Sequence, residues 1–475
     1  MRILRLAASV LALTALWLPS KARSIPAFAR KYGTSCLTCH TIYPKLTPFG
    51  EAFRRNGYRF PGVDSDYVKQ DVVALGQDAN KKTFPNSVWP GTLPASVPIA
   101  VGFNGQTLVS PDRTSSVARG RNGAVFNLDD LVAEGHIWAG ASLSDTVTVW
   151  AELTLNESSS PVTLEHAQVL FNDLVGPAHV VNLVVGKGFP TLSSFGPHSS
   201  YLADIQIPNA PVTGMYGLSA DPFVLVDNYK GLELNGVVAG RFNYAVGVNS
   251  GKNTFSSGFE TEDAYASAGY KVGGMRLDGE GSGGAADPLH PWAEDALTVH
   301  GFVYHSVEHF PTPGAPTLAS DDVGLTLGVG ARAQLGSLEL DLGFYGQTHS
   351  HGTATLGGVT ADVTWGEVSY VLFPWMVPAI RVEHMRLAPD GGPSVDDLHV
   401  MPGIAFLVRP NMKVILAGNF ESATGFPQDG GGGALGWQGG SADWGSFVLT
   451  PKPGAGPAQG LQEMESIAIF LAWAM

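Results

Sequence analysis

Cysteine is nearly absent from this chain: its 475 residues contain two, Cys36 and Cys39. No multi-bridge disulfide scaffold and no four-cysteine zinc ribbon can be built from them. Charge is scarce too, at 15% of residues, and acidic side chains outnumber basic ones 42 to 28. No nucleic-acid partner is expected of that balance. Past the N-terminus no window reaches the ~18 uninterrupted apolar residues of a membrane helix. What is abundant suits sheet: 59 Gly, 32 Pro, 10% aromatic residues and 44% hydrophobic residues. A mean hydropathy of +0.09 fits either solvent. The classes left are a soluble β protein and an outer-membrane barrel, whose alternating strands escape hydropathy scans.

The N-terminus reads as a secretory signal peptide over residues 1–23. Arg2 and Arg5 form a basic n-region, Ile3 to Leu18 is the apolar region, and Ser20 and Ala22 suit a cleavage site. The run is short for a retained span. In an exported chain the stretch YGTSCLTCHTIYPKLTPFG, 32–50, has three chemical readings: a redox dithiol, half a zinc site, or a haem attachment site. A zinc site lacks a second ligand pair, and a thioredoxin-like dithiol lacks its βαβ context. His40 directly follows Cys39. That spacing favours one covalent haem c, with the Cys36 and Cys39 thiols joined to its vinyl groups and His40 as proximal iron ligand. Cys36, Cys39 and His40 are therefore the cofactor-binding residues expected, and His40 the metal ligand.

Around this motif short helices are expected. Pro26 suits the first turn of a helix over 24–33, with Ser24 as cap and Gly33 as stop. Thr47 and Pro48 start a second one, which Gly57 ends. Phe49, Phe53, Tyr58 and Phe60 then either pack on a porphyrin or form an ordinary small core. The segment is short for a free-standing cytochrome and needs another surface to bury a haem. The organisation expected is a signal peptide at 1–23, a monohaem cytochrome c-like domain at 24–80, a linker at 81–96 rich in Pro, and a barrel at 97–475. Residues 23–75 carry 8 basic and 4 acidic side chains, and residues 76–475 carry 17 and 38. The opposite signs favour docking the first part against or inside the second.

From residue 97 onward, period-two alternation predicts about sixteen strands. In DTVTVWAEL, 145–153, Val147, Val149, Ala151 and Leu153 share one face and Thr148, Trp150 and Glu152 the other. The last segment, MESIAIFLAWAM, resembles the closing strand of outer-membrane barrels, many of which end in Phe where this chain has Met475. Sixteen lies in the even series of such barrels. Connections at 142–144, 174–178, 240, 336–337, 373–376 and 410–411 are short, and those at 190–230 and 423–463 are long. Short and long therefore alternate, as a barrel requires. The connection 276–295 is long on the short side and breaks the pattern. A soluble β-sandwich or propeller is the alternative, but no fixed blade period is present.

A sixth iron ligand of Met or His type is missing between Arg23 and Gly76, so the barrel would have to supply it. Alternation points Arg381, Glu383 and Met385 inward, as well as His300, and sets His399 and Met401 on one face. Lys45, Lys69 or an open site are the other options. His349 and His351 would share a strand face and could bind a metal, although such spacing more often marks a polar strand end. The acidic stretches 258–264 and 319–322 would concentrate cations or simply solvate loops. No nucleophilic triad stands out, so no catalytic residue is assigned.

The stretch PAFARKYGTSCLTCHTIYPKLTPFGEAFRRNGY resembles the front of the fused monohaem cytochrome–porin proteins, a family that includes outer-membrane iron oxidases. The shared features are the signal peptide, Cys36 to His40, Pro44, Phe49, Gly50 and Asn56-Gly57-Tyr58. The detailed likeness covers about residues 25–60. The resemblance implies a haem that plugs an outer-membrane barrel and carries electrons across it, in a bacterial outer membrane. The partners then expected are an extracellular reductant such as Fe(II), a periplasmic soluble cytochrome or other carrier, and outer-membrane lipid. The activity would be ferrous iron oxidation at a haem. The alternatives are a porin whose haem domain is a plug or sensor, and the barrel part of a larger multihaem conduit.

Overall fold

The structure, a computed structural model, describes residues 27–42, 45–62, 64–69, 71–74, 78–87, 92–94, 98–110, 125–126, 134–144, 146–156, 162–192, 202, 225, 228–251, 262–279, 289–312, 315–351, 357–391, 394–424, 434–439, 447–452 and 463–474. Sixteen long strands form an antiparallel closed barrel. They are β1 Ile99–Ser110, β2 Glu134–Ser142, β3 Val147–Asn156, β4 Thr163–Phe171, β5 Asn182–Gly188, β6 Tyr229–Val238, β7 Phe242–Asn249 and β8 Asp263–Gly273. They continue as β9 Glu294–Thr312, β10 Ala315–Gly336, β11 Leu338–His349, β12 Val359–Tyr370, β13 Met376–Pro389, β14 Val395–Arg409, β15 Met412–Thr424 and β16 Glu463–Ala474. Each pairs with the next in the chain, and β16 closes on β1 through pairs such as Ile467 with Val109. A two-residue piece, Val125–Phe126, also pairs with the end of β1.

The pattern of exposure is that of a bilayer-spanning wall. On β6, Leu232 and Leu234 face outward while Glu233 between them is buried. On β10, Leu325, Leu327 and Val329 are exposed and Thr326 is buried; on β13, Ile380 and Val382 are exposed while Arg381, Glu383 and Met385 are buried. Water would leave such a continuous outer apolar face unpartnered; lipid covers it, and the polar partners face the lumen. A soluble sandwich would bury the opposite set. Inside, Arg381 pairs with Glu367 at 3.4 Å and with Glu383, which satisfies charges that the wall turns inward. An aromatic and aliphatic band including Tyr265, Tyr304, Tyr345, Trp365 and Met385 fills part of the lumen.

Residues 27–69 occupy the barrel end where the turns are short. They form α1 Ala27–Tyr32, a 3-10 turn Cys36–Thr38, α2 Pro48–Arg55 and α3 Asp64–Tyr67. Gly33, with φ +61°, turns the chain after α1. Thr47 caps α2 by accepting from Gly50 N at 3.0 Å, with Pro48 in the first turn, and Gly57 at φ +65° ends it. The wall holds this plug from several sides. Thr148 Oγ1 donates to Gly57 O at 2.8 Å, Arg59 pairs with Asp173 at 2.8 Å, and Lys45 forms a buried ion pair with Glu339. Phe28 stacks on Trp150 at 6.3 Å and lies over Gly140. Between plug and barrel, Asp78–Thr83 is helical (α4), and Val72–Ala74 pairs with Thr92–Pro94.

The long connection on the short side, β8 to β9, now has a reason. Gly279 lies against Pro61 and Ala52 of the plug, where a Cβ would come within 2.3 Å of Pro61 Cγ. Trp292 packs with Ile42 of the plug and Val371 and Val377 of the wall, and its Nε1 donates to Ser337 Oγ at 3.1 Å. The described ends of this connection therefore lie against the plug. On the opposite rim, β9 and β10 extend beyond their neighbours, so the acidic stretch 319–322 lies in strand rather than in a loop.

Candidate functional site

The turn that carries the two cysteines is tightly specified by backbone bonds. Ser35 Oγ accepts from Leu37 N at 3.3 Å, Cys39 N donates to Cys36 O at 3.1 Å, and His40 N donates to Cys36 O at 2.9 Å. The chain returns by a bridge between His40 and Leu46, and Thr47 N donates to Cys39 O at 2.9 Å. Helix α2 then passes so close that a Cβ on Gly50 would lie 2.0 Å from Cys39 O. Only glycine fits there. Gly50→Ala is expected to push α2 off the cysteine turn at a cost of about 1–3 kcal/mol. Proteolysis of residues 27–69 within the folded barrel would read it, and a protease pattern equal to wild type would refute the tight contact.

Cys36, Cys39 and His40 all line one cavity of about 390 Å³ between plug and wall. Both cysteines are free thiols. Burial pushes the Cys39 thiol up to about 12, aided by Cys36, and burial also raises Cys36. They are thus neutral thiols, poor thiolate ligands for a metal. Phe28, Phe53, Tyr58 and Phe60 of the plug line the same space, as does Trp150 of the wall. Of the four plug aromatics expected to contact a cofactor, Phe49 does not line it. These rings also pack on one another: Phe28 on Tyr58 at 5.2 Å, Tyr32 on Phe60 at 4.1 Å, Phe49 on Phe60 at 5.0 Å. They are therefore both a small core and the cavity's apolar wall.

One edge of the cavity is cationic. Arg54 and Arg55 of α2 and Arg332 of β10 line it. Glu51 pairs with Arg54 at 3.2 Å and with Arg55 at 3.5 Å, while Asp341 pairs with Arg332 at 2.9 Å. Even so, Arg54 Nε is buried without a hydrogen bond among the described residues, and Arg55 Nε meets Glu51 at the 3.5 Å of a long ion pair rather than in a hydrogen bond. Burial, reinforced by Arg54 and Arg332 and opposed by Glu51, pushes Arg55 down to about 10. A buried cation left short of acceptors suits a carboxylate-bearing guest. An apolar space with two neutral thiols, an imidazole and under-paired guanidinium groups fits a c-type haem with its two propionates.

The other expected ligands fall elsewhere. His300, Met385, His399 and Met401 are buried and inward, as alternation indicates, yet none lines this cavity. Lys45 is engaged with Glu339, and Lys69 is exposed. His349 ends β11 buried against Asp322 at 2.6 Å, whereas His351 lies past the strand and is exposed. The two do not converge, and among the described residues no group of three or more His, Cys, Asp or Glu side chains could hold a metal ion. Asp263, from the first acidic stretch, turns inward to accept from Tyr304 at 2.8 Å and Val307 N at 2.9 Å.

A cluster that the sequence reading missed lies in the cavity wall: His136 of β2, Glu152 of β3 and His166 of β4. Glu152 bridges both rings, at 3.1 Å from His136 Nδ1 and 3.0 Å from His166 Nδ1. Glu152 stands directly opposite His166 and Trp138 in the ladders. Centring the hairpin on NESSSP, 156–161, would pair Glu152 with residue 165. The bulge at Glu152/Leu153 shifts it to His166.

No family model matches the chain, and no curated protein matches it. Among solved structures it is similar to an anion-selective porin from Comamonas acidovorans, with a TM-score of 0.50 and 11% identity over 79% of this chain and 99% of that one. The trimer form of OmpT, an outer-membrane protein of Vibrio cholerae, gives a TM-score of 0.49 and 12% identity over 80% and 99% of the two chains. The outer-membrane channel DcaP of Acinetobacter baumannii gives 0.45 and 9%, over 80% and 97%. The chain is mostly β, and its fold is that of a porin-like, outer-membrane-type barrel.

Proposed function

We propose that this protein is a single-haem electron conduit of a bacterial outer membrane, related to the fused monohaem cytochrome–porins. It would take electrons from an extracellular donor such as Fe(II) and pass them to a periplasmic carrier. The observation that carries the reading is the placement of Cys36, Cys39 and His40 on one cavity inside a barrel plug. When bound, the haem would supply a one-electron centre. Cys36 and Cys39 would hold it covalently, His40 would ligate iron, and Arg54 and Arg55 would meet its carboxylates. Phe28, Tyr58 and Trp150, which line the cavity, would exclude water from it, and that together with the axial ligand would set the potential. No proton or group transfer is required of the chain. Short turns mark the periplasmic rim in barrels of this type, so the plug lies toward the carrier. The net negative charge of residues 76–475 favours approach of a cationic donor.

Purified protein in liposomes that enclose an electron acceptor tests the proposal. Fe(II) added outside is expected to reduce the haem rapidly and then the enclosed acceptor. Haem that dithionite reduces but Fe(II) does not would remove Fe(II) as donor. Solute flux that follows redox state, without electron delivery, would instead favour a porin with a haem plug. The conduit reading would then fall.

A further inference from the structure

The proposed haem leaves one position on its iron open, and the residues of the plug offer no second His and no Met for it. We propose that the barrel wall fills it, through His166 Nε2, so that the haem bridges plug and wall. This rests on the haem reading above.

The wall is prepared for that role. A carboxylate can only accept, so the contacts of Glu152 with both Nδ1 atoms require that His136 and His166 each carry their proton there. In the neutral tautomer each Nε2 then keeps its lone pair for a metal. A ring held by a carboxylate at one nitrogen and free to bind metal at the other is the usual arrangement of ligating histidine. The two rings differ in access. His136 lies flat on Trp138, with centroids 5.2 Å apart and planes 8° apart, and its Nε2 is covered. His166 meets only the edge of Phe189, at 4.9 Å, and keeps 8% of its side chain open. His166 is therefore the ligand, and His136 positions Glu152.

The layering of the wall supports the same choice. Thr148 touches the plug, and Trp150 and Glu152 are the next two inward positions on β3. Two such steps raise Glu152 roughly 14 Å along the strand above that contact. A planar guest anchored at Cys36 and Cys39 would therefore face this ledge across the cavity. Met412 also lines the cavity, but it sits at the turn that begins β15.

The test uses the full chain with its haem, purified from cells that attach haem c. A mass gain of one haem on the peptide holding Cys36 to His40 establishes the starting point, and its absence defeats the haem reading itself. Low-temperature electron paramagnetic resonance and near-infrared magnetic circular dichroism then report spin state and whether the second axial atom is nitrogen or sulfur. Wild type is expected to be low-spin with two nitrogen ligands. His166→Ala is expected to become high-spin, with added imidazole restoring the low-spin signal. His300→Ala is expected to keep the wild-type spectrum. Glu152→Gln is expected to stay low-spin with a raised midpoint potential, because the His166 ring loses its anionic partner. A low-spin His166→Ala protein, a sulfur ligand lost in Met412→Ala, or a wild-type haem that is five-coordinate would each overturn the assignment. Should His166→Ala not fold, an unchanged potential in Glu152→Gln overturns it.

Discussion

His40→Ala is expected to cut electron delivery into liposomes to the level of empty vesicles while the barrel still folds. The imidazole is the proposed proximal ligand, and without it the iron loses the donor that tunes its potential. His40 is tied into the plug through its backbone, by its N–H on Cys36 O and its bridge to Leu46. The wall is a closed ladder whose stability comes from sixteen paired strands and an outer apolar face. Far-ultraviolet circular dichroism and heat-modifiable gel mobility should match wild type, and the covalent haem should remain on Cys36 and Cys39. Wild-type delivery rates in this variant would sink the conduit proposal.

Removing one half of the Lys45–Glu339 pair is expected to loosen the plug by about 3–5 kcal/mol, because a buried charge then loses its partner. The two halves should not be equal. Lys45 exposes 1% of its side chain and Glu339 9%. After Lys45→Met, Glu339 keeps Arg332 at 3.5 Å and Gln334 Nε2 at 3.2 Å. After Glu339→Leu, the Lys45 ammonium stays buried without that carboxylate. Because the Lys45 side chain is the more deeply buried of the two, Glu339→Leu should be the more damaging single change. The double variant should recover part of the loss, since two apolar side chains leave no ion stranded. Protease cleavage within residues 27–69 of the folded barrel measures this. Equal and negligible cleavage in all three variants would show that the pair does not hold the plug.

Much of the barrel was legible because period two is a local property. A reader of 377–388 needs no partner strand to see that Ile380 and Val382 share a face opposite Arg381 and Glu383. The same holds for Thr148, Trp150 and Glu152. Thr47, Pro48 and Gly57 likewise mark α2 without any tertiary knowledge. What was not legible depends on register and on inward folding. Glu152 meets His166 only because a bulge moves the ladder by one residue, and no local pattern announces that. The ionic edge formed by Arg54, Arg55 and Arg332 joins a plug helix to a strand nearly three hundred residues away. The long connection at 276–295 looked like an error in strand spacing, because its purpose is to cover Ile42 and Pro61, which belong to a segment far earlier in the chain. His349 and His351 show the converse: i, i+2 spacing suggested a pair, but the strand ends between them.

The seam between β1 and β16 has a consequence for assembly. It joins Val109 to Ile467, roughly 360 residues apart, whereas the other strand pairs join neighbours in the chain. Loop closure over that distance is the most costly and the slowest contact of the ring. The plug lies upstream of β1 and is wedged among β2, β3 and β11, and Gly279 and Trp292 of the β8–β9 connection pack against it. A completed ring offers only its two mouths, and at one of them Gly279 and Trp292 already press on the plug. The plug therefore has to be seated while the wall is still an open sheet, and the last strand closes around cargo that is already in place. Maturation of the N-terminal segment is thus an event with a deadline, set by the arrival of the C-terminus.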